Sequence, residues 1–300
     1  MAVAIEAVGL TKYYGETPGI IDLDLEVMSG EIFGFLGPNG AGKSTTIRTF
    51  LDLLHPSSGT VTILGYDSHE ESVEIRQRTG YLPGDLSMYD DMTAREMLRY
   101  FSALRDVDTE ARVEELAERL RLDLDVKIGS YSSGNRQKVG VVQAFMHDPE
   151  LLILDEPSTG LDPLMQQEFY QMIDEARQAG KTVFLSSHIL PEVERTADRI
   201  GIVRNSELIT VQTVDDLKAR ARRHFQIVFA DQISPSEFSG LPGVQSAVSS
   251  HDGYGVDIFI EGPVDGLLGK AAEHHMENVI SHEGDLEDAF LAFYKEDDAA

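Results

Sequence analysis

The chain has 300 residues, which is enough for one large domain and a smaller appended one. It contains no cysteine, and this excludes a disulfide framework and a thiolate-ligated metal site. Its net charge of −27, from 52 acidic and 25 basic residues, disfavours nucleic acid and anionic membrane surfaces as partners.

A short apolar run followed by a glycine-rich loop is the first informative feature along the chain. Residues 31–36 predict a buried strand, and residues 45–51 predict the start of a helix. The loop between them fits the pattern G-x-x-x-x-G-K-[ST] of a phosphate-binding loop. The segment consists of Gly37, Pro38, Asn39, Gly40, Ala41, Gly42, Lys43, Ser44 and Thr45.

Strand, loop and helix are the context in which this pattern binds phosphate groups. The backbone N–H groups of the loop and the dipole of the following helix both favour an anion. We expect Lys43 to reach the β- and γ-phosphates of a nucleotide and Ser44 to ligate Mg²⁺. The segment therefore predicts a site for a magnesium nucleotide.

Residues 85–147 have a helical pattern throughout. Within them, residues 109–122 place their apolar side chains on one helix face. A helix is also predicted over residues 136–146, and Ser132 precedes it as a candidate N-cap that offers N–H groups to a phosphate. On its own, the segment Tyr131-Ser132-Ser133-Gly134-Asn135 predicts a helix cap.

Residues 148–210 alternate between predicted strands and helices, which indicates a parallel sheet. The apolar run 151–154 ends in Asp155 and Glu156, and the carboxyl ends of strands are where open α/β sheets bind ligands. We expect Asp155 to hold Mg²⁺ through water and Glu156 to act as the general base toward the attacking water. The alternative is a solvated acidic strand end.

A second strand in this region, residues 182–187, is followed by His188. A lone histidine is usually structural or simply exposed. After a buried strand of a phosphate-binding fold, however, we expect His188 to lie near the γ-phosphate.

In their order and spacing, these four segments resemble the nucleotide-binding subunits of ATP-binding cassette (ABC) transporters. The resemblance covers residues from about 3 to 215 and implies an α/β fold, the P-loop NTPase cassette with an inserted helical subdomain at about 85–147. It implies that the chain hydrolyses ATP with Mg²⁺ and thereby powers a separate integral membrane permease. The chain would then sit at the cytoplasmic face of the cell membrane, with no nucleic acid as partner.

The resemblance also assigns roles to individual residues. His188 becomes a catalytic γ-phosphate sensor, and Tyr14 stacks on adenine. Ser132 and Gly134 contact the ATP that is held by the other subunit, which requires a homodimer or heterodimer. The implied dimer interface contains Ser132, Ser133, Gly134, Asn135 and Asp162.

The chain departs from the family pattern at two places. The family's signature is usually Leu-Ser-Gly-Gly-Gln, and here Tyr131, Ser133 and Asn135 differ from it. The family's Q-loop usually carries Gln or Glu after a proline, where this chain has Gly84. The neighbouring Asp85 offers a substitute carboxylate, and the competing hypothesis is that water replaces the missing ligand.

The segment 186–194 and the C-terminal appendage resemble the multidrug and antibiotic export type more than importers. Two other functions compete with this one. A soluble cassette ATPase of DNA repair or translation usually has long coiled coils or a second cassette, and the sequence has neither. A nucleotide switch without turnover would not need Glu156 and His188.

After the nucleotide-binding domain, predicted as residues 1–215, residues 216–300 predict a small α+β accessory domain. Strands are expected at 225–229 and 255–260, with a closing amphipathic helix at 285–294 and a frayed tail at 296–300. Three late histidines fit no metal-ligand spacing, so we expect them at the surface. They are His274, His275 and His282.

Two further expectations concern the cellular setting. The start of the sequence lacks the features of a signal peptide, and no run of about 18 apolar residues predicts a membrane span. The acidic excess favours a halophilic source, such as a haloarchaeon, because salt at about 1 M screens charges over about 3 Å. The alternative is an ordinary acidic protein.

Overall fold

The computed structural model describes residues 2–220 and 223–282 and divides into two compact units. The first unit reaches Val211 and the second begins at Gln212, a boundary that falls within strand β10 (Glu207–Thr213). The helix predicted at 285–294 and the tail predicted at 296–300 lie outside the described residues. Within the described ranges, no helix has the length and apolar character needed to cross a membrane.

The first unit contains two sheets and a set of helices. Its strands are β1 (Val3–Tyr14), β2 (Thr17–Met28), β3 (Ile32–Leu36), β4 (Ser58–Ile63), β5 (Tyr66–Asp67), β6 (Thr79–Leu82), β7 (Leu151–Asp155), β8 (Thr182–Ser187), β9 (Arg199–Arg204) and β10 (Glu207–Thr213). Its helices are α1 (Lys43–Phe50), α2 (Ser72–Arg78), α3 (Ala94–Arg105), α4 (Glu110–Arg119), α5 (Ser133–Phe145), α6 (Pro163–Gln178) and α7 (Leu190–Thr196).

The larger sheet positions the candidate site. Its strand order is β10-β9-β3-β8-β7-β6, and β9, β3, β8, β7 and β6 pair in parallel. Strands β3, β7 and β8 are buried at every position, as expected for a parallel sheet covered on both faces. Because the strands are parallel, Leu36, Asp155 and Ser187 end at one edge of the sheet. The smaller sheet is antiparallel, with the order β2-β1-β4-β5.

Aromatic side chains fill the space between the two sheets and α1. Phe184 of β8 lies at the centre, with its ring centroid 5.7 Å from that of Phe33, 5.3 Å from Phe35 and 5.5 Å from Phe50. All four rings are fully buried. Each such side chain contributes about 1.5–3 kcal/mol through burial, so this cluster fixes α1 against the sheet that carries the site.

The helical subdomain consists of α3, α4 and α5. The predicted apolar face is buried, at Val113, Leu116 and Ala117 of α4 and at Leu120, which caps its C-terminus. The predicted helix at 136–146 begins earlier, at Ser133, because Ser132 caps it: the Ser132 Oγ accepts a hydrogen bond of 3.3 Å from the Asn135 N–H.

The second unit is an α+β structure. Its elements are α8 (Val214–Arg220), β11 (Arg223–Phe229), β12 (Val244–Ser250), β13 (Gly255–Ile260), α9 (Asp265–Ala271) and β14 (Met276–His282). The strands pair antiparallel in the order β12-β13-β11-β14, and β11 and β13 contain the two strands predicted from the sequence. Its core includes Ile227, Phe229, Phe238, Ile258 and Leu267.

Candidate functional site

The loop between β3 and α1 has the backbone shape of an anion site. Gly42 is the N-cap residue of α1 and has a φ of +104°. A Cβ atom at Gly42 would lie 2.2 Å from the carbonyl oxygen of Gly19, so only glycine fits this position. With no capping side chain, the first N–H groups of α1 remain free to bind an anion.

A cleft of about 290 Å³ opens above this loop. It is lined by Tyr14, Pro18, Gly19, Asn39, Gly40, Gly42, Lys43, Ser44, Thr45 and Glu156. Tyr14 is about half exposed at the end of β1, and its hydroxyl lies 3.4 Å from the Thr45 Oγ1. The structure thus brings the loop, Tyr14 and Glu156 to one cleft, although they are far apart in sequence.

The ammonium group of Lys43 is the buried cation of this cleft. It donates hydrogen bonds to the carbonyl oxygens of Gly37 at 2.7 Å and Pro38 at 3.2 Å, and it lies 3.2 Å from the Glu156 Oε1. Lys43 is only 5% exposed. These partners hold the positive charge at the point where the loop would receive phosphate.

Asp155 lies fully buried at the end of β7. Its Oδ1 accepts a hydrogen bond of 2.5 Å from the Ser186 hydroxyl, whereas its Oδ2 has no hydrogen-bond partner among the described residues. A buried carboxylate oxygen without a donor is costly, and a cation beside it removes that cost. Because Mg²⁺ prefers oxygen ligands and keeps several waters, Asp155 and Ser44 fit the ligand set predicted for it.

Glu156 and His188 form a hydrogen-bonded pair at the same edge of the sheet. The Glu156 Oε2 lies 2.6 Å from the His188 Nδ1. Glu156 has a φ of +50°, a conformation that non-glycine residues rarely adopt, and its N–H donates to the Ser186 hydroxyl at 3.2 Å. This backbone turn directs the carboxylate toward His188 and Lys43, and the local sequence carries no sign of it.

Glu192, at the first turn of α7, is a second residue that sequence analysis missed. Its Oε2 accepts a hydrogen bond of 2.5 Å from the Ser187 hydroxyl, and burial raises the pKa of its carboxyl group. Burial also raises the pKa of the neighbouring Tyr170 to about 12. Through the Ser187 bond, Glu192 anchors α7 to the end of β8, directly before His188. In the sequence, the available sign of this role was an acidic residue at a position of the helix that is buried.

The predicted signature residues lie away from the cleft. Ser132 and Gly134 are not among its lining residues. A Cβ atom at Gly134 would lie 2.6 Å from the carbonyl oxygen of Gly160, so the signature packs closely on the loop before α6. Asp162 caps α6, accepting hydrogen bonds of 3.1 Å from the N–H groups of Leu164 and Met165. Within one chain, then, the signature and the phosphate-binding loop do not share a pocket.

Gly84 lies directly beside the buried carboxylate. A Cβ atom at this position would be 3.2 Å from the Asp155 Oδ2 and 3.3 Å from its Cγ. Gly84 and Asp85 are both exposed. Burial raises the pKa of Tyr81, and the negative charge of the Asp155 carboxylate raises it further. Tyr81, in β6, therefore lies close enough to Asp155 to be affected by its charge. A side chain at position 84 would therefore begin directly beside Asp155, the candidate metal ligand.

Comparisons with known proteins agree with this architecture. The family profile described as ABC transporter matches residues 20–159. The bacitracin transport ATP-binding protein BcrA of Bacillus licheniformis is 37% identical over 235 residues, which cover 77% of each protein. The ABC transporter ATP-binding protein NatA of Bacillus subtilis is 39% identical over 194 residues, covering 63% of this chain and 79% of NatA.

Solved structures show the same fold. One described as the ATP-binding subunit of an ABC transporter has a TM-score of 0.68 and 32% identity, covering 72% of this chain and 92% of that one. A dimeric ATP-binding cassette in a post-hydrolysis state, bound to ADP and Pi, has a TM-score of 0.64 and 22% identity, covering 70% and 98%. The predicted α/β cassette fold is confirmed by these likenesses.

Proposed function

The chain belongs to the ATP-binding subunits of ABC transporters, and we propose that two such subunits bind ATP between them and power export through a separate membrane permease. The observation that carries this proposal is the contact of Lys43 with Glu156 at the cleft, where the Glu156 carboxylate is also hydrogen-bonded to His188. The relative named for bacitracin transport supports export as the direction. The chain would act at the cytoplasmic face, as a homodimer or heterodimer, without nucleic acid.

In the proposed reaction each polar group of the cleft has one task. Lys43 exchanges its carbonyl and Glu156 contacts for the β- and γ-phosphates, which neutralises part of their charge. Glu156 accepts the proton of the attacking water, and His188, hydrogen-bonded to its Oε2, holds the carboxylate in place. Mg²⁺ held by Ser44 and Asp155 would neutralise further phosphate charge.

The second subunit is needed because the signature does not reach the cleft of its own chain. Ser132, Gly134 and the exposed N-terminus of α5 supply N–H groups that suit a phosphate. Ser133 is exposed at the first position of this helix. The dimeric cassette bound to ADP and Pi supports such an arrangement.

Changing Ser133 to Glu tests this arrangement. An acidic residue at the N-terminus of α5 is compatible with the helix dipole, but it would repel a phosphate brought by the partner. We expect ATP affinity of the single chain to be kept, ATP-dependent dimerisation to be lost, and ATPase turnover to fall at least about tenfold, or ~1.4 kcal/mol. Light scattering and phosphate release are the measurements.

The control is Ser249→Glu, an equal change at an exposed position of β12. It should dimerise and turn over as the unmodified chain does. If the Ser133→Glu chain still forms an ATP-dependent dimer with full activity, the signature is not in a composite site.

Asp85→Ala tests how the chain compensates for Gly84. Because Mg²⁺ readily keeps several waters, we propose that water occupies the place of the missing Q-loop ligand. An added carboxylate beside Asp155 and Glu156 would instead raise the local negative charge. We therefore expect Asp85→Ala to change turnover by less than about tenfold, or ~1.4 kcal/mol. A loss as complete as that of Glu156→Gln would make Asp85 the metal ligand.

We also propose that the acidic surface reflects a salt-rich, haloarchaeal cytoplasm. At a net charge of −27, carboxylates repel one another at low ionic strength, and molar salt screens this repulsion. The melting temperature should rise steadily from low salt to molar KCl when followed by circular dichroism. A flat or falling curve would favour an ordinary acidic protein.

A further inference from the structure

Two loops of the first unit bring together three side chains that the nucleotide site does not use. Asp52 and His55 follow the C-terminal end of α1, and His69 follows β5. We refer to Asp52, His55 and His69 as the Asp52 cluster. Since α1 has eight residues, the cluster lies about 12 Å or more from the phosphate-binding end of that helix.

The side chains of the Asp52 cluster converge on one point. The Asp52 Oδ1 lies 3.0 Å from the His55 Nδ1 and 3.1 Å from the His69 Nδ1. One ligand atom from each of the three residues lies within 4.8 Å of the others. In a tetrahedral zinc site with bonds of about 2.0–2.1 Å, neighbouring ligand atoms are about 3.3 Å apart, so small side-chain shifts suffice.

The two loops are held in place before any ion binds. The N–H groups of Leu53 and Leu54 donate to the carbonyl oxygen of Arg48 at 2.8 and 3.1 Å. The Asp67 Oδ1 accepts hydrogen bonds from the N–H groups of His69 and Glu70 at 2.9 and 3.0 Å. A site that is organised in this way loses little conformational entropy when it binds an ion.

The burial of the three residues suits an ion arriving from solvent. The Asp52 side chain is 13% exposed, whereas those of His55 and His69 are 72% and 68% exposed. Both imidazole rings flank an open cleft that also contains Asp67 and Glu70. The cleft leaves room for water as a fourth ligand, and the acidic residues and the helix C-terminus favour a cation.

From this geometry we propose that the Asp52 cluster binds a divalent transition-metal ion of the zinc type. Two imidazole nitrogens and one carboxylate oxygen suit zinc, cobalt or nickel, whereas magnesium and calcium prefer oxygen ligands alone. The ion would join the end of α1 to the turn after β5. The competing arrangement is two imidazole N–H groups that donate to one carboxylate, with no affinity for metal.

Calorimetric titration of the nucleotide-free, chelator-treated full chain with zinc chloride tests the proposal. We expect one zinc ion per chain and an affinity at least about tenfold lower in His69→Ala, in His55→Ala and in Asp52→Asn. Cobalt added to the unmodified chain should give a visible absorption spectrum of low-symmetry coordination that is lost in the same variants.

Two controls separate this site from other binding. Asp155→Asn should keep the zinc ion, which shows that the nucleotide site is not the one titrated. His275→Ala, at an exposed position of the second unit, should also keep it. The proposal fails if the unmodified chain takes up no zinc, or if the three cluster variants bind it as tightly as the controls do. Circular dichroism verifies that each variant is folded.

Discussion

Replacing Glu156 by Gln should preserve ATP binding and lower steady-state hydrolysis by about 10²- to 10⁴-fold, the usual cost of losing a general base. The amide has nearly the same shape as the carboxylate, so the cleft keeps its form. It cannot accept a proton from water, however, and it no longer bears the charge that faces His188 at 2.6 Å and Lys43 at 3.2 Å. The bound ATP is then expected to persist, and the variant should accumulate as an ATP-bound dimer.

Phosphate release measures the turnover, and size-exclusion chromatography with light scattering measures the dimer. Glu150→Gln is a matched control, because Glu150 precedes the same strand, β7, and is exposed at the opposite end of it. That variant should hydrolyse ATP at the unmodified rate. Undiminished hydrolysis by Glu156→Gln would show that Glu156 is not the general base and that another group in the cleft accepts the proton.

The strands and helices that carry the site were predictable because their signals are local. Strands β3, β7 and β8 are short and largely apolar runs, a pattern that is typical of fully buried parallel strands. The phosphate-binding loop is a contiguous pattern, so the position of Lys43 at the start of α1 follows from the sequence alone. The N-cap role predicted for Ser132 is confirmed, but the helix was placed only from residue 136, since Ser133, Gly134 and Asn135 are weak helix formers that this cap stabilises.

What was not predictable depends on contacts between distant segments. The left-handed backbone of Glu156 is stabilised by Ser186, a residue of another strand. The conformational preferences of the residues around Glu156 do not predict it. The bond of Glu192 to Ser187 needs the helix α7 to fold back onto β8. In the same way, His69 meets Asp52 only because β5 returns beside the end of α1. In the sequence, His55 and His69 therefore carry no metal-ligand spacing that would mark them.

Replacing Lys43 by Ala should weaken ATP binding itself, by about 10²-fold. The ammonium contributes in the bound ground state as well as during the reaction, and a charge-assisted contact of this kind contributes about 1.5–3 kcal/mol. Its removal also leaves the carbonyl oxygens of Gly37 and Pro38 without the cation that they bind, and these contacts are retained when Glu156 is changed to Gln. An arriving phosphate would then meet carbonyl oxygens whose partial negative charge is uncompensated.

Isothermal titration calorimetry with ATP, using Glu156→Gln as the background so that no hydrolysis intervenes, measures this affinity. Lys181→Ala is the control. Lys181 pairs with Asp148 at 2.7 Å and lies just before β8, at the opposite end of the parallel strands from the phosphate-binding loop. Its removal should leave the affinity unchanged. Equal affinities for Lys43→Ala and the background chain would show that the loop binds phosphate through its backbone N–H groups alone, and that the ammonium serves only the later steps.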